Sequence, residues 1–379
     1  METKYQIVDL QSQYQRLKSE IDPAIQQVLN DSNFINGRQV KQFANELASY
    51  LNCKHVTPCA NGTDALQIAF MALDLQAGDE VIVPAFNYIA AAETAALLQL
   101  KPVFVDADPD SFNIDISKIE QAIGPKTKAI VPVHLFGQAT DMELVMAIAE
   151  QYKLYVVEDN AQAIGAQIIS GKYSGSMLGT IGDIGTTSFF PSKNLGCMGD
   201  GGAVYTNDLK LGEKMQMIAN HGQKLKYQYE LVGSNSRLDT LQAAILGVKL
   251  RHLPAFTQTR QAAAATYDQL LRGIERLEIP FRVPYSTHVF HQYTIKLSTL
   301  EVRNGLKKYL NDHGVQSMIY YPQSLHRQVG YLYLGYNTSE FPVANGLSER
   351  VLSLPMHSEL TENQVAEICS LIQSGMKTL

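Results

Sequence analysis

A lysine near the middle of the chain follows an apolar run, in a stretch that ends in glycine. The residue is Lys193, within Ser188-Phe189-Phe190-Pro191-Ser192-Lys193-Asn194-Leu195-Gly196. Lysine normally keeps its ammonium group in water, so apolar surroundings are unusual for it. Desolvation would lower the pKa of the amine toward neutrality, which is the condition for Schiff-base chemistry. Considered alone, Lys193 could also be an ordinary surface charge.

Two adjacent carboxylates end a second apolar run. The run is Val156-Val157-Glu158-Asp159-Asn160-Ala161-Gln162, and its first residues are typical of a buried strand. Ligands of open α/β sheets bind at the carboxyl ends of strands, where these carboxylates would lie. One of the two could instead cap the next helix.

A helix start follows the β-like segment His55 to Cys59. The residues are Ala60-Asn61-Gly62-Thr63-Asp64-Ala65-Leu66, and either Asn61 or Thr63 can serve as the cap. Glycine allows close backbone approach, and the free N–H groups of a helix start bind phosphate well. The alternative is a plain helix cap without a ligand.

Together these three stretches supply the parts that hold pyridoxal phosphate (PLP). The lysine would carry the aldehyde, and a carboxylate would keep the pyridine nitrogen protonated, so that the ring accepts electrons. The aromatic residues in Pro84-Ala85-Phe86-Asn87-Tyr88 could stack on that ring or pack in the core.

Two other motifs do not support a different cofactor. The glycines at 196, 199, 201 and 202 read G-x-x-G-x-G-G, which differs from the dinucleotide fingerprint G-x-G-x-x-G. His288 and His291 have H-x-x-H spacing without a nearby carboxylate, so we interpret them as structural residues. No metal site is expected.

The composition narrows the class of partner. The chain has 379 residues, 31 Lys and Arg, and 37 Asp and Glu, for a net charge of −6, which lacks the basic footprint of a nucleic-acid binder. No run approaches about 18 apolar residues, so no membrane span is expected. The amino terminus has no apolar export segment, and the four cysteines show no C-x-x-C spacing. We expect a cytoplasmic protein with reduced thiols.

The elements that must position these residues follow an α/β pattern. After two amphipathic helices, short apolar runs around residues 81–83, 103–105, 129–131 and 155–157 alternate with helical stretches such as 141–151. Consecutive apolar positions are typical of strands buried on both faces of a mainly parallel sheet. A long helical stretch over 238–277 is expected to be interrupted near Pro254. We expect a large α/β domain over 1–250 and a smaller α+β domain over 251–379.

Five ordered motifs make the chain resemble a known family. They are NGTDAL at 61–66, PAFNYIA at 84–90, VEDNAQ at 157–162, SFFPSKNLG at 188–196 and GSNSRLDTLQAAI at 233–245. They resemble the DegT/StrS family of sugar-nucleotide aminotransferases, which are fold-type I PLP enzymes. The resemblance runs along essentially the whole chain and implies a mainly parallel, seven-stranded mixed sheet flanked by helices.

The resemblance also implies roles for individual residues. Lys193 would be the Schiff-base lysine and proton shuttle, Asp159 would pair with the pyridine nitrogen, and Gln162 would lie against the ring or its hydroxyl. Tyr88 matches the stacking aromatic. The residues matching the phosphate cradle are Gly62, Thr63 and Ser188. Asn235 matches a residue that reaches the phosphate from the partner subunit, which implies an obligate homodimer.

The implied substrate contacts leave alternatives open. Arg237 could meet an anionic part of the substrate. Tyr320, Tyr321 and His326, in Ile319-Tyr320-Tyr321-Pro322-Gln323-Ser324-Leu325-His326, resemble the stretch that reaches the sugar, but adjacent tyrosines before a proline are also ordinary packing. His221 could contact substrate, or it could form a helix C-cap pair with Gly222.

The implied reaction is transfer of an amino group from glutamate to a nucleotide-linked keto-sugar, in surface-polysaccharide or modified-sugar biosynthesis. One branch of the family has histidine in place of the lysine and performs deoxygenation, so Lys193 implies transamination. The stretches 8–22, 34–40 and 189–203 are most similar to a subgroup that aminates carbon 3 of UDP-linked 3-keto-glucuronate sugars. The alternatives are amination of carbon 4, a PLP enzyme with amino-acid substrates only, and a non-catalytic regulator that senses a sugar nucleotide.

Overall fold

The computed structural model describes residues 3–379, so Met1 and Glu2, where the expected first domain begins, lie outside the described residues. The α-helices are α1 (Leu10–Asp31), α2 (Arg38–Leu51), α3 (Gly62–Ala72), α4 (Ala90–Leu97), α5 (Ile119–Ala122), α6 (Met142–Tyr152), α7 (Leu209–Ala219), α8 (Thr240–Leu271), α9 (Leu300–Asp312), α10 (Pro342–Arg350) and α11 (Glu362–Thr378). The strands are β1 (His55–Cys59), β2 (Glu80–Pro84), β3 (Lys101–Val105), β4 (Thr127–Ile130), β5 (Tyr155–Asp159), β6 (Ile184–Ser188), β7 (Gly202–Thr206), β8 (Gln223–Leu225), β9 (Gln228–Tyr229), β10 (Leu277–Glu278), β11 (Tyr293–Leu297) and β12 (Val351–Leu354).

Seven strands form one sheet in the order β1-β7-β6-β5-β4-β2-β3. The pairs β2–β3, β2–β4, β4–β5 and β5–β6 are parallel, whereas β7 is antiparallel to both β6 and β1. This arrangement confirms the expected α/β class with a mainly parallel, seven-stranded mixed sheet.

The burial of β2 shows why consecutive apolar residues belong in this sheet. Val81 and Val83 join the apolar cluster that includes α3 and α4, while Ile82 joins the cluster on the opposite face that includes α6. Successive side chains of a strand point to opposite faces, so a strand covered on both sides needs apolar residues at every position.

The crossover helix α6 begins where the sequence indicated. The Asp141 side chain accepts hydrogen bonds from the backbone N–H groups of Glu143 and Leu144. A cap of this kind stabilises a helix by about 1 kcal/mol. The helix returns the chain from β4 to the start of β5, as a parallel pair requires.

The C-terminal part contains a second sheet, in the order β10-β11-β12, with antiparallel pairs. Its core contains apolar residues of β11, β12, α9 and α11 together with the last turns of α8. The first half of α8 packs instead in a cluster with α2 and β7. The expected division at residues 250 and 251 falls within this helix and stays a prediction.

The expected interruption of the long helix at Pro254 is wrong. Helix α8 runs from Thr240 to Leu271 with Pro254 inside it. Proline removes one intrahelical hydrogen bond and crowds the preceding turn. Buried residues on both sides of Pro254, among them Leu250, Leu253 and Phe256, hold the two halves against the rest of the chain.

Two further observations concern the chain as a whole. No helix within residues 3–379 is both long and apolar enough to cross a lipid bilayer. The four cysteines, Cys53, Cys59, Cys197 and Cys369, are free thiols, and all but Cys53 are buried.

Candidate active site

The carboxyl ends of β1, β5 and β6 lie at one edge of the seven-stranded sheet. β5 and β6 are parallel neighbours, with Asp159 opposite Thr186. β1 is antiparallel to β7, which is antiparallel to β6, so β1 points in the same direction as β6. The end of β5 at Asp159, the end of β6 at Ser188 and the start of α3 after β1 therefore share this edge.

Lys193 lies in the irregular loop between β6 and β7, near enough to Asp159 for their charges to interact. Burial lowers the pKa of the Lys193 amine to about 8, and the Asp159 carboxylate acts in the opposite direction. The residue as a whole is partly exposed, while its amine is surrounded by protein. With this pKa, roughly one amine in ten is uncharged at pH 7, far more than for an ordinary lysine, and can then accept a proton.

Asp159 is a buried carboxylate with one oxygen unused. It is 7% exposed, and its Oδ1 accepts a hydrogen bond of 3.0 Å from the backbone N–H of Ala161. Burial raises the pKa of Asp159, while that hydrogen bond and the positive charge of Lys193 lower it. Its Oδ2 accepts no hydrogen bond from residues 3–379 and is available to a ligand that carries an N–H group or a positive charge.

The neighbouring carboxylate, Glu158, has a structural role. It is fully buried and accepts hydrogen bonds from the backbone N–H groups of Gly179, Ile181 and Gly182 at 2.6 to 2.8 Å. His134 Nε2 lies 2.9 Å from its Oε2. The His134 Nδ1 atom accepts from the Thr140 N–H, so Nε2 carries the proton and donates it to Glu158. Of the two adjacent carboxylates, only Asp159 keeps an acceptor oxygen open.

The start of α3 packs directly on the end of β6. Asn61, rather than Thr63, is the helix cap, because its side chain accepts a hydrogen bond of 2.8 Å from the Asp64 N–H. A Cβ atom added at Gly62 would lie 2.6 Å from the Cβ of Ser188, so this contact requires glycine. The first backbone N–H groups of a helix have no intrahelical acceptor and form an anion site. The structure thus brings Gly62, Thr63 and Ser188 together.

Gln162 joins the site to the C-terminal part. Its Oε1 accepts a hydrogen bond of 2.9 Å from the Phe136 N–H, which fixes the orientation of the amide. Its Nε2 therefore faces Tyr321 and donates to the hydroxyl oxygen over 3.0 Å. Gln162 is nearly buried, and Tyr321 is partly buried. Tyr321, expected to contact substrate, is thus in contact with a residue expected to contact the cofactor.

The aromatic residues after β2 separate into a core residue and a site residue. Phe86 is fully buried, whereas Tyr88 is 55% exposed. Both rings lie next to Tyr321, with centroid separations of 6.1 Å for Phe86 and 6.2 Å for Tyr88. Only Tyr88 has a face free for another ring.

Asn235 and Arg237 lie at an opening beside Ala60, which precedes α3. They line a cavity of about 440 Å³ together with Ala60, Gly199, Asp200 and Gln242. Asn235 is exposed, and Arg237 is partly exposed. Asn235 makes no hydrogen bond to Gly62, Thr63 or Ser188 within the described chain. This geometry is compatible with a residue that serves a second copy of the chain.

The remaining expected substrate residues differ in accessibility. Tyr320 is partly buried, with its ring 5.8 Å from that of Tyr321. His326 is 1% exposed and packs on Phe341, and neither ring nitrogen has a partner within residues 3–379. His221 is exposed and follows α7, and the Gly222 N–H bonds to the Met217 carbonyl as at a helix end. The substrate roles of all three stay predictions.

His291 is a site residue that the sequence did not reveal. Its Nδ1 lies 3.2 Å from Asn194 Oδ1, and its pKa is well below the ordinary value because of burial and then the charges of Lys193 and Arg260. The H-x-x-H spacing is a pattern associated with metal sites. It carries no information about a contact with Asn194, which is 97 positions earlier. Its neighbour His288 stacks on Phe290 and accepts from the Phe290 N–H. Across residues 3–379 no three His, Cys, Asp or Glu side chains group as metal ligands would.

A family model described as the DegT/DnrJ/EryC1/StrS aminotransferase family matches residues 15–373. The chain is a member of this aminotransferase family. The match confirms the resemblance given by the five sequence motifs, and membership implies PLP as the cofactor.

Three relatives of the chain carry different descriptions. A pleiotropic regulatory protein of Geobacillus stearothermophilus is 46% identical over 94% of this chain and 95% of its own length. The UDP-N-acetyl-3-dehydro-alpha-D-glucosamine 3-aminotransferase of Acidithiobacillus ferrooxidans is 44% identical over 98% of each chain. The UDP-2-acetamido-2-deoxy-3-oxo-D-glucuronate aminotransferase of Pseudomonas aeruginosa is 42% identical over 97% of this chain and 99% of its own.

A solved structure of the family confirms the fold. The crystal structure of S. venezuelae DesV in complex with a ketimine intermediate superposes with a TM-score of 0.95 and 34% identity over the full length of both chains.

The side chains at the sheet edge suit each part of PLP. The absence of a side chain at Gly62 lets the start of α3 pack against Ser188, and the free backbone N–H groups of that helix start suit a phosphate. Asp159 is a desolvated carboxylate with an open oxygen, which a protonated pyridine nitrogen would neutralise. The Lys193 amine, with its pKa near 8, is suited to react with an aldehyde.

Proposed function

We propose that this family member is a PLP-dependent aminotransferase that moves an amino group from glutamate to a nucleotide-linked keto-sugar. The observation that carries the proposal is the pair Lys193 and Asp159. It combines a buried amine with a lowered pKa and a buried carboxylate with an open oxygen at the same sheet edge. A purely structural lysine would gain nothing from this desolvated position.

When bound, PLP supplies an aldehyde that holds the amino group and a ring that takes up the electron pair released at the reacting carbon. The Lys193 Nζ atom attaches the cofactor and, once released, accepts the proton from that carbon as a neutral amine and returns it later. The Asp159 Oδ2 atom holds the ring nitrogen in its protonated form. Losing this charge match would cost several kcal/mol of stabilisation, as in other charge-matched sites.

The remaining residues hold the cofactor in place. Gly62, Thr63 and Ser188 bind the phosphate, and the exposed face of Tyr88 stacks on the ring. Gln162, with its amide fixed by Phe136, lies against the ring or its hydroxyl. Asn235 completes the phosphate site of a second copy, so the active unit is a homodimer. Its exposure and the absence of a hydrogen bond to Gly62, Thr63 or Ser188 within residues 3–379 support this arrangement.

For the acceptor, we infer a UDP-linked sugar with a keto group at carbon 3. The support is the descriptions of two relatives at 44% and 42% identity, both aminotransferases of UDP-linked 3-keto sugars. Only the second of these substrates is a glucuronate. Arg237 would meet an anionic part of such a substrate, and Tyr320, Tyr321, His326 and His221 would lie near the sugar. The reaction would take place in the cytoplasm and serve surface-polysaccharide or modified-sugar biosynthesis.

The proposal can be tested with the purified protein and a panel of acceptors. The protein is loaded with PLP and glutamate, then given UDP- and dTDP-linked sugars with keto groups at carbon 3 or carbon 4. Mass spectrometry should detect an aminated 3-keto UDP-sugar, and Lys193→Ala should abolish product. Turnover by Lys193→Ala would disprove the role of the lysine. A glutamate half-reaction with no accepted sugar would favour amino-acid substrates only.

A regulatory function is a second candidate, because the relative at 46% identity is described as a pleiotropic regulatory protein. A regulator need not retain the amine and carboxylate in reactive states, whereas this chain has both. Protein that purifies without PLP, takes up none and still binds a sugar nucleotide would favour regulation over catalysis.

A further inference from the structure

The loop that carries Lys193 has little regular structure of its own. It spans residues 189–201 between β6 and β7 and contains neither helix nor strand. Within it, the Lys193 N–H bonds to the Phe190 carbonyl over 2.8 Å, which closes a turn. Catalysis requires a reactive amine to be held close to its productive position. On a loop of this kind, that position depends on contacts with other parts of the chain.

Asn194, next to the lysine, makes such a contact. It is 4% exposed, and its Nδ2 donates to the Val289 carbonyl over 3.0 Å. Because that carbonyl can only accept, the amide orientation is settled and Oδ1 is the acceptor. His291 Nδ1, at 3.2 Å, must therefore be the donor. Asn194 thus makes two hydrogen bonds to one short stretch of chain.

That stretch, residues 288–292, is itself fixed on two other sides. The buried Arg260 on α8 donates to the carbonyls of Phe290 at 3.0 Å and Met356 at 2.9 Å. The Val289 N–H bonds to the Gly137 carbonyl over 2.9 Å, next to Phe136, whose N–H holds Gln162. Residues 288–292 therefore form a rigid support that reaches both sides of the site.

His291 has a defined protonation state in this arrangement. Its Nδ1 carries the proton that goes to Asn194. Burial and the positive charges of Lys193 and Arg260 hold the pKa of His291 well below its usual range, so the ring is neutral. Its Nε2 is then an acceptor, and it receives no hydrogen bond from residues 3–379. The charge that acts most strongly on Lys193 is that of Asp159.

We propose that Asn194 and His291 are positioning residues for the Lys193 amine. Asn194 fastens the lysine loop to residues 288–292, and its amide holds His291 beside the lysine with Nε2 free. The inference rests on the proposed function, since it concerns how this chain prepares its cofactor-binding amine. Neither residue needs to touch substrate for this role.

The test compares Asn194→Ala, His291→Ala and His291→Asn with the unchanged protein. Asparagine at 291 places an amide N–H near the position of Nδ1, so it keeps a donor to Asn194 that alanine lacks. The pKa of Lys193 is measured in cofactor-free protein from the pH dependence of its acylation, followed by peptide mass spectrometry. The thermal midpoint of each variant shows whether it is folded.

Loosening the loop should let water reach the amine and reduce its desolvation. We expect Asn194→Ala and His291→Ala to raise the pKa of Lys193 by about one unit. We expect both to weaken PLP binding by about tenfold. His291→Asn should stay within a few tenths of a unit of the unchanged protein. The double alanine variant should add little to either single change, because the residues act as one unit.

An unchanged pKa of Lys193 in both alanine variants would overturn the inference, and so would His291→Asn behaving like His291→Ala. If Asn194→Ala does not fold, the two His291 variants decide the matter between them. Failure of the unchanged protein to take up PLP would instead count against the proposed function. The lysine measurement needs no cofactor, so the two failures are distinguishable.

Discussion

Gln162 and Tyr321, which are 159 positions apart, are joined by a hydrogen bond of 3.0 Å from the amide nitrogen to the phenol oxygen. The amide cannot turn away, because its oxygen is held by the Phe136 N–H. The tyrosine hydroxyl therefore accepts from Gln162 and keeps its own proton for another partner. A residue of the C-terminal part is thereby built into the wall of the candidate cofactor site.

We expect Tyr321→Phe to leave the Gln162 amide nitrogen without its partner. An unmade hydrogen bond of this kind costs about 1 kcal/mol, so PLP binding should weaken several-fold. Tyr155→Phe is the control, because Tyr155 begins β5 at the opposite end from Asp159, is 43% exposed, and its hydroxyl bonds to no residue in the range 3–379. Equilibrium titration with PLP measures both. Equal dissociation constants in the two variants would contradict the prediction.

We expect Gly62→Ala to damage the contact between α3 and β6. The new Cβ would lie 2.6 Å from the Cβ of Ser188, and relieving the overlap requires a backbone shift. Such overpacking costs about 1–3 kcal/mol of unfolding free energy. Urea unfolding and PLP titration should both show a loss. Gly330→Ala is the control, since no atom lies within 4 Å of its added Cβ. Unchanged stability and PLP affinity in Gly62→Ala would refute this.

We expect Glu158→Ala to lower the free energy of unfolding strongly, because Glu158 is the buried acceptor for several groups of the fold. The change would leave three backbone N–H groups and the His134 ring without their buried acceptor. Breaking a buried charged network costs about 3–5 kcal/mol. Glu150→Ala, at an exposed position of α6, should change stability by less than about 0.5 kcal/mol. Comparable denaturation midpoints would show that Glu158 is dispensable.

Lys249→Met should stabilise the chain in a pH-dependent way. Lys249 on α8 is 3% exposed, makes no ion pair within residues 3–379, and has its pKa lowered by burial from 10.5 to about 8. Because the folded pKa lies below the unfolded one, the cost of burying the ammonium is complete below pH 8. It falls as the pH rises from 8 to 10.5, where the unfolded chain binds more protons. The gain near pH 7 should be roughly 1–3 kcal/mol.

Denaturation of Lys249→Met at pH 7 and at pH 10 gives the comparison, with the exposed Lys126→Met as control. A stabilisation that is the same at both pH values would assign the effect to packing rather than to charge. A loss of stability at pH 7 would show that the ammonium has a partner in solution.

The sequence predicted the sheet well, because strands buried on both faces need apolar residues at every position, as Val81, Ile82 and Val83 show. It could not tell Asn61 from Thr63 as the cap of α3, since both types accept hydrogen bonds from a helix start. It also could not show that Glu158 has a structural role and Asp159 a role in the candidate site. This difference arises because the backbone N–H groups at residues 179–182 bond to Glu158 and not to Asp159.

Two other features depended on contacts between distant parts of the chain. The sequence predicted a break at Pro254 because proline disfavours a helix interior, but packing on both sides of Pro254 keeps α8 continuous. His291 had no local pattern that relates it to Lys193, because the link runs through the side chain of Asn194. Tertiary contacts of this type leave no periodicity in the sequence.

The unbroken course of α8 limits how the molecule can open and close. Its first half is packed with α2 and β7, and its second half with β11 and α11. One continuous helix therefore joins the two sheets. A large rotation of one sheet relative to the other would have to bend α8 or expose its buried side chains to solvent. We therefore expect bulky ligands to enter through shifts of side chains and loops, with the framework itself moving by small sliding adjustments.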